Sequence, residues 1–356
     1  MIIAVAMSGG VDSSTTAALL KSQGHEVFGI TMDNHADWES DIANAKQVCD
    51  ILGIEHYVMP AREEYKRCVM DIFAEYYANG MTPNPCALCN RDIKMNLLLK
   101  YARAQGADLM ATGHYIQMSV HDDIVEMREA KNKKKDQSYF LSLVDKNNLK
   151  NVCFPLGEIE DKSITRKMAA EFGLPNFEKE ESQDICFIKH GNYKEFLHEF
   201  YSNLNLSIPG DIVLSGTKQI LGKHNGIENY TIGQRRGIGI AYNEPLYVVD
   251  VDSKSNQIVV GLSSALSQDE FTLFASNWIL DVATAFEAFV KLRSSSEKTK
   301  AKITKTSTGA TVKLLEKSTT PVTPGQICAI YSSDNTVIGA GIIASNLNRC
   351  APQCFL

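Results

Sequence analysis

The chain has 356 residues, about 2.4 times a typical domain of about 150, which predicts two or three domains. Apolar residues make up 44%, charged residues 22%, mean hydropathy is −0.15 and the net charge is −6; this composition excludes collagen, coiled coil and wholesale disorder. No apolar run approaches the roughly 20 residues a bilayer span needs, and Met1–Gly10 has neither a basic n-region nor a cleavage site, so a cytoplasmic protein without membrane contact is expected.

Ile2–Met7 is a continuous apolar run closed by Ser-Gly-Gly, the pattern of a strand buried on both faces. Helical spacing follows over Asp12–Gln23, with Gly24 at the C-cap position. Val27–Met32 predicts a strand, Asp41–Leu52 a helix, Tyr57–Pro60 a strand, Glu63–Ala78 and Asp92–Ala104 helices, and Asp108–Tyr115 a strand. This alternation predicts an α/β domain with a Rossmann-like parallel sheet, helices on both faces and ligands at the carboxyl ends of its strands. Ile116–Met118 and Ile124–Met127 flank His-Asp-Asp and read as a hairpin. Further helices are expected near Lys162–Phe172 and Tyr193–Tyr201.

From about Pro209 helical periodicity gives way to short β-rich runs: Asp211–Leu214, Tyr247–Val251, Gln257–Val260, Ala310–Leu315, Ile327–Tyr331 and Val337–Ile343. They predict one or two small β domains ending in a barrel. The expected organisation is an α/β domain over 1–203, a small central β-rich domain over 204–268 and a C-terminal β-barrel over 269–356. Charge is uneven along this plan. Residues 33–90 hold ten acids and four bases, whereas residues 287–317 hold eight bases and three acids, and Lys131–Lys135 adds a second basic cluster. Such patches attract a polyanion even on an acidic chain, and a solvated lysine-rich loop is the alternative for each.

Ser8-Gly-Gly-Val-Asp-Ser-Ser14 falls between the first strand and the first helix. Two glycines let the backbone approach an anion, the helix start offers free N–H donors, and Ser8, Ser13 and Ser14 add hydroxyls. Asp12 would repel phosphate by itself, which points to a cation beside it. Gly29–Met32 and Ala111-Thr-Gly-His-Tyr115 end later strands and close the same crevice. The turn resembles the PP-loop of the ATP pyrophosphatases, which implies ATP as the nucleotide, carried with magnesium (Mg2+).

Thr82-Pro-Asn-Pro-Cys86-Ala-Leu-Cys89-Asn-Arg-Asp-Ile-Lys94 carries a C-x-x-C with a helical pattern starting just after Cys89. A thiol at a helix N-terminus near Arg91 and Lys94 is expected to have a lowered pKa. Cys186 follows a polar turn much farther along. Three readings stand for these thiols: a redox pair, half of a zinc site completed by Cys350 and Cys354, or one active site joining Cys86, Cys89 and Cys186 to the ATP loop. Cys49, Cys68 and Cys328 read as core fillers.

The ordered motifs SGGVDSS, TPNPCALCN, ATGHY, KDQSYFL, SQDICFI, GQRRGIGI and VTPGQ span nearly the whole chain. Together they resemble the tRNA-specific 2-thiouridylases of the MnmA/TrmU family. The resemblance implies a PP-loop domain, a small central domain and a C-terminal β-barrel, and a reaction that replaces the C2 oxygen of the wobble uridine with sulfur at the expense of ATP. It implies ATP contacts from Ala6, Met7, Ser8, Gly9, Gly10, Val11, Asp12 and Ser13, with Met32 and Gly113. It makes Cys186 the residue that takes a persulfide from a sulfur donor protein, a cysteine desulfurase or a persulfide relay carrier. Cys89 becomes the nucleophile, passing through a Cys89–Cys186 disulfide. Asn84, Pro85 and Cys86 would lie beside the target base of the anticodon stem-loop, where His114 or Tyr115 would stack on it. Lys135, Asp136, Gln137 and Gln326 would contact tRNA.

The chain departs from the family pattern at two places. Cys86 stands where many members have Asp, which opens an alternative in which Cys86, Cys89 and Cys186 hold an iron–sulfur cluster. Lys291-Leu-Arg-Ser-Ser lacks the Arg-aromatic-Arg character of the family's barrel, leaving Arg293 and Ser294 as the phosphate contacts. Two other classes compete with thiolation: a PP-loop ligase acting on a small metabolite, and a non-catalytic RNA-binding protein with structural zinc.

Overall fold

A computed structural model of the chain describes residues 1–35, 39–179, 185–188, 192–204 and 206–345. Ser182–Asp184 of the SQDICFI motif, Cys350 and Cys354 lie outside the described residues. Strand β1 (Ile2–Ala6) leads into α1 (Val11–Ser22), β2 (Glu26–Asp33), α2 (Glu39–Leu52) and β3 (His56–Pro60). Helical runs over 62–78 and 85–104 precede β4 (Leu109–Ala111), the hairpin β5 (Ile116–His121) and β6 (Ile124–Glu129), and β7 (Val152–Cys153). The first sheet has the order β3-β2-β1-β4-β7, every pair parallel. Consecutive strands run outward on one side of β1 and then jump to β4 on the other. This reversal opens a crevice at the carboxyl ends of β1 and β4, where such sheets hold ligands.

The apolar run of β1 is explained by its two faces. Ile3 and Val5 pack with α1, α2 and the helix Lys162–Glu171. Ala4 faces Phe28, Ile30 and the helical runs, through Tyr65, Val69, Phe73, Ile93 and Leu98. A strand covered on both sides has no polar face to alternate. In the hairpin, Asp122 and Asp123 have φ of 45° and 67°, the two-residue turn whose twist matches that of paired strands.

The run over 85–104 begins earlier than its periodicity suggests. Asn84 caps it by accepting from Ala87 N at 3.1 Å, and Pro85 takes the first helical position. Cys86 thus sits in the first turn and Cys89 one turn further in. Residues Cys89–Leu98 are wound as a π-helix, as are Lys66–Met70 in the preceding run.

The central sheet has the order β10-β11-β8-β9, from β8 (Gly210–Leu214), β9 (Ile220–His224), β10 (Tyr247–Asp252) and β11 (Gln257–Gly261). The barrel is closed and antiparallel, in the order β12-β15-β14-β13-β16-β17. Its strands are β12 (Glu270–Trp278), β13 (Ala285–Lys291), β14 (Thr299–Lys305), β15 (Gly309–Leu314), β16 (Ile327–Tyr331) and β17 (Val337–Ile343). Its interior holds Phe271, Leu273, Val290, Ile303, Val312 and Ile330. The outer faces of β16 and β17 continue the core of the first domain through Ala329, Tyr331, Val337, Ala340 and Ile342.

The basic stretch 287–317 is largely strand: β13, β14 and β15 cover 287–291, 299–305 and 309–314, while Arg293, Lys298 and Lys317 lie in the connections. Along β14, Thr299, Ala301 and Ile303 are buried, while Lys302 and Thr304 face out and Lys300 is half-exposed. Lys300 pairs with Glu287 at 2.8 Å, Lys305 lies over the Trp278 ring at 5.0 Å, and Lys298 reaches Glu129 of the hairpin at 2.8 Å. Much of the local charge is spent on barrel packing and docking, and Lys302, Lys313 and Lys317 remain exposed.

Candidate active site

At the crevice the chain turns on Gly9, whose φ is +70° and whose Cβ, if present, would come within 2.7 Å of the Asp41 carbonyl oxygen. Gly10 caps α1 in an extended conformation with no side chain across the helix end, so the first N–H groups stay available to an anion. Ser13 ties the loop together: its hydroxyl accepts from Ser8 N and donates to the Gly10 carbonyl, each at 3.1 Å. Ser14 does not serve the crevice as expected. It is fully buried, donates to the Gly10 carbonyl and accepts from Asn176 Nδ2 at 2.9 Å.

Asp12 also has a partner that local sequence does not reveal. Its Oδ1 accepts from Tyr115 Oη at 2.8 Å and forms an ion pair with Lys162. The charge balancing Asp12 within the protein is therefore this lysine. Tyr115 is buried, with its hydroxyl also bonded to Thr165 at 2.8 Å, so it is a strut beneath the loop and has no face open to a base. Gly113 closes the crevice from β4. A Cβ there would lie 2.8 Å from Asp12 C and Ser13 N, backbone atoms that cannot yield. The resulting cleft of about 220 Å³ is lined by Ala6, Met7, Ser8, Asp12, Ser13, Met32 and Gly113, and also by Ile30, Lys94, Leu98, Thr112, His114 and Gln137. Gly9 and Gly10 shape the loop, and Val11 is turned into the core.

A second cavity, of about 150 Å³, adjoins the first. Met32, Asn34, Tyr65, Pro85, Lys94, Ile185 and Phe187 line it together with Cys86, Cys89 and Cys186. The fold thus brings the C-x-x-C and Cys186 into one chamber beside the cleft, and Met32 and Lys94 belong to the walls of both. The expected lowering of the Cys89 pKa is overturned. Cys89 is 6% exposed and one turn inside the helix. Burial pushes its thiol up to about 12, against the opposing charge of Lys94. Arg91 does not help, because its guanidinium forks onto Asp92 with two bonds of 2.7 Å. Cys86 opens toward solvent, yet the atoms packed around its sulfur raise its pKa, with Cys186 adding and Lys94 opposing.

Cys186 is exposed, and its sulfur lies 2.9 Å from the Tyr65 hydroxyl. Burial first, and the neighbouring Cys89 and Cys186 next, hold Tyr65 far above its usual range, so it stays a neutral phenol able to donate to a sulfur anion. Lys94 acts on Cys89 in the expected direction, though burial outweighs it; neither periodicity nor spacing singled out Tyr65.

The remaining expected contacts divide between cleft and scaffold. His114 lines the cleft with Nδ1 2.8 Å from Thr112 Oγ1, and burial, with Lys94 assisting, holds it well below the usual histidine range and therefore neutral. Gln137 Oε1 accepts from Tyr115 N at 2.9 Å. The Asp136 carboxylate caps its own turn, accepting from Ala130 N, Ser138 N and Ser138 Oγ, while Lys135 is half-exposed beside it. Gln326 reaches from the barrel to donate to the carbonyls of Thr82 and Pro83 at 3.0 and 3.2 Å, and Thr82 N donates to the Pro324 carbonyl at 2.9 Å. The barrel thereby braces the segment entering Asn84–Cys89. Arg293 is half-buried, its Nη2 donating to the Ile232 carbonyl and to Thr323 Oγ1; it ties the barrel to the central domain, and Ser294 beside it is exposed. Cys49 and Cys328 are core residues, whereas Cys68 is half-buried.

Fold and site together define a PP-loop protein in three parts, whose crevice shares the walls Met32 and Lys94 with a chamber of thiols. Residues 1–190 match the tRNA methyl transferase HUP domain family, 194–262 the tRNA methyl transferase PRC-barrel domain and 268–343 the aminomethyltransferase beta-barrel domain. The tRNA-specific 2-thiouridylase MnmA of Rickettsia peacockii is 44% identical over 363 residues, covering 97% of both chains. MnmA 1 of Fusobacterium nucleatum is 42% identical over 345 residues, 96% of this chain and 92% of that one. This chain belongs to the family of the tRNA-specific 2-thiouridylases of the MnmA type.

Proposed function

We propose that the protein is an ATP-dependent tRNA sulfurtransferase that converts the wobble uridine of tRNA to 2-thiouridine. The observation carrying this reading is the shared wall of the two cavities: Met32 and Lys94 line both the cleft beside the PP-loop and the cavity that holds three cysteines. Sulfur transfer needs such thiols, whereas the methyl transfer in the matching families' descriptions gives them no task.

The uracil O2 attacks the α-phosphate of ATP, forming the O–P bond as the bridging P–O bond breaks and pyrophosphate leaves. A uracil oxygen is a poor leaving group, and adenylation turns it into AMP. Cys186 carries a persulfide delivered by a donor such as a cysteine desulfurase or a relay carrier. Cys89 gives its thiol proton to water, and the resulting thiolate attacks the Cys186 sulfur, forming the Cys89–Cys186 disulfide and releasing hydrosulfide, so the terminal sulfur is reduced by two electrons. Hydrosulfide adds at C2, the C2–O bond breaks, AMP departs and the S–H proton is lost. An external thiol then reduces the disulfide. In this reading the flipped base enters beside Asn84–Cys86, and a neutral His114 offers a ring without a competing charge.

Asp12 is the one carboxylate on the cleft wall. This suits a magnesium ion carried on ATP, which keeps most of its ligands as phosphate oxygens and water and would shield the phosphate charge. The thiols suit an iron–sulfur cluster less well. Among the described residues, no three His, Cys, Asp or Glu side chains group closely enough to hold a metal ion, and Tyr65 engages the Cys186 sulfur. Among the described residues no helix is long and apolar enough to cross a membrane, in keeping with a cytoplasmic enzyme working on tRNA.

The test is a reaction with unmodified tRNA, ATP, magnesium and a persulfide source, run with and without oxygen, followed by mass spectrometry of the digested tRNA. A 2-thiouridine product that requires ATP and is lost in Cys89→Ser and in Cys186→Ser supports the reading. Full thiolation in either variant would overturn the assigned roles. Product formed only without oxygen would favour the cluster route. ATP turnover that ignores tRNA and follows a small metabolite would point to a ligase instead.

A further inference from the structure

The two cavities share a single charged side chain, Lys94. Its place on the helix follows from the winding. In an α-helix residues five apart lie about 140° apart around the axis, whereas i→i+5 winding stacks them roughly one turn above each other. Cys89 and Lys94 are five apart and both fall within the π-wound stretch Cys89–Leu98, so the π-turn brings the ammonium to the thiol's side. π-turns of this kind recur at functional sites. Lys94 is half-buried and makes no ion pair or hydrogen bond among the described residues. The nearby acid on its own helix, Asp92, is taken by Arg91. Lys94 lowers the pKa of Cys89, Cys86 and His114 from one position between them. A partly desolvated ammonium with no carboxylate among the described residues is a site for an incoming anion, and both half-reactions create one beside it.

We propose that Lys94 serves both halves of the reaction, pairing with the phosphate of the adenylated uracil in the cleft and with the sulfur anion at Cys89 in the adjoining cavity. This rests on the thiolation reading above. The lysine changes no bond. It stabilises the negative charge that develops as pyrophosphate leaves, the thiolate that attacks Cys186 and the hydrosulfide released there. It also links the two events in space, because a single ammonium within reach of both anions keeps hydrosulfide beside the activated C2.

The test compares Lys94→Met, Lys94→Gln and Lys94→Arg with the exposed control Lys100→Met, each checked by thermal unfolding. Two quantities are read: single-turnover 2-thiouridine formation, and the pH profile of Cys89 alkylation by iodoacetamide resolved by mass spectrometry. Removing the charge should slow 2-thiouridine formation by about 100-fold. It should move the Cys89 profile upward by about one pH unit, or about three- to fourfold in rate at fixed pH once the greater nucleophilicity of the more basic thiolate is counted. Lys94→Arg should restore part of both, and Lys100→Met should match the wild type. If Lys94→Met unfolds, Lys94→Gln carries the comparison. Thiolation within threefold of wild type in a folded charge-removed variant, or an alkylation profile that does not move, would overturn the proposal. Should wild type itself form no thionucleoside, the thiolation reading fails, and the alkylation profile alone decides whether Lys94 acts on Cys89.

Discussion

Alkylation of Cys89 in the resting protein should be slow at neutral pH and climb tenfold per unit as pH rises toward 12. The perturbation is burial, which moves the thiol from its ordinary 9.0 to about 12. At pH 8 the thiolate fraction is then lower than that of a free thiol by about 1,000-fold. A more basic thiolate is a better nucleophile, with a Brønsted slope of about 0.4–0.5, which returns roughly 15- to 30-fold over three units. The net expectation is a rate about 30- to 60-fold below that of the same cysteine in the urea-unfolded chain, before any steric loss from its 6% exposure. The assay is timed iodoacetamide labelling between pH 7 and 11 with site-resolved mass spectrometry. The same shift enters stability. The folded pKa lies above the unfolded one, so the protonated thiol's contribution is complete below pH 9 and is lost as pH rises from 9 toward about 12. Labelling of Cys89 at the free-thiol rate, with a midpoint at or below 9, would refute the argument and restore an activated thiolate at a helix start.

Gly113→Ala should abolish tight ATP binding and destabilise the fold by about 1–3 kcal/mol, because its Cβ would press on Asp12 and Ser13 at 2.8 Å; isothermal titration and a melting curve measure the two effects, and wild-type affinity would show that the cleft lies elsewhere. Gln326→Leu should leave the Thr82 and Pro83 carbonyls without their donor, at a cost of about 1–3 kcal/mol reduced by solvent access. It should lower 2-thiouridine formation while ATP affinity is kept, and unchanged turnover at saturating tRNA would show that the barrel's brace on the cysteine segment is dispensable.

Local pattern along the chain reached far into this protein. The apolar run Ile2–Met7 marked a doubly buried strand, Ser8–Ser14 the turn at the sheet's switch point, Asp122–Asp123 the hairpin corner, and the β-rich runs after Pro209 the two β regions. Burial that repeats every second or every third to fourth residue is written in sequence order, so such elements are legible one at a time. Where charge masked the period the reading faltered: β14 alternates buried Thr299, Ala301 and Ile303 with lysines, and the lysine count hid a strand. The start of the helix at Pro85 is also written in the sequence, as Asn84 followed by proline, one turn ahead of the periodicity that begins after Cys89.

Tertiary structure alone decided the state of the site's groups. Asp12 meets Tyr115 across 103 residues and Lys162 across 150, and Cys186 meets Tyr65 across 121. Nothing local to Cys89 announces that the packed core will raise its pKa, nor that a π-turn will bring Lys94 beside it. The sequence by itself determined which residue types are supplied and the order of the elements that carry them. How deeply each group is buried, and which charge faces it, depends on distances between segments far apart in the chain. Those distances exist only once the sheet, the helical runs and the barrel have closed on one another.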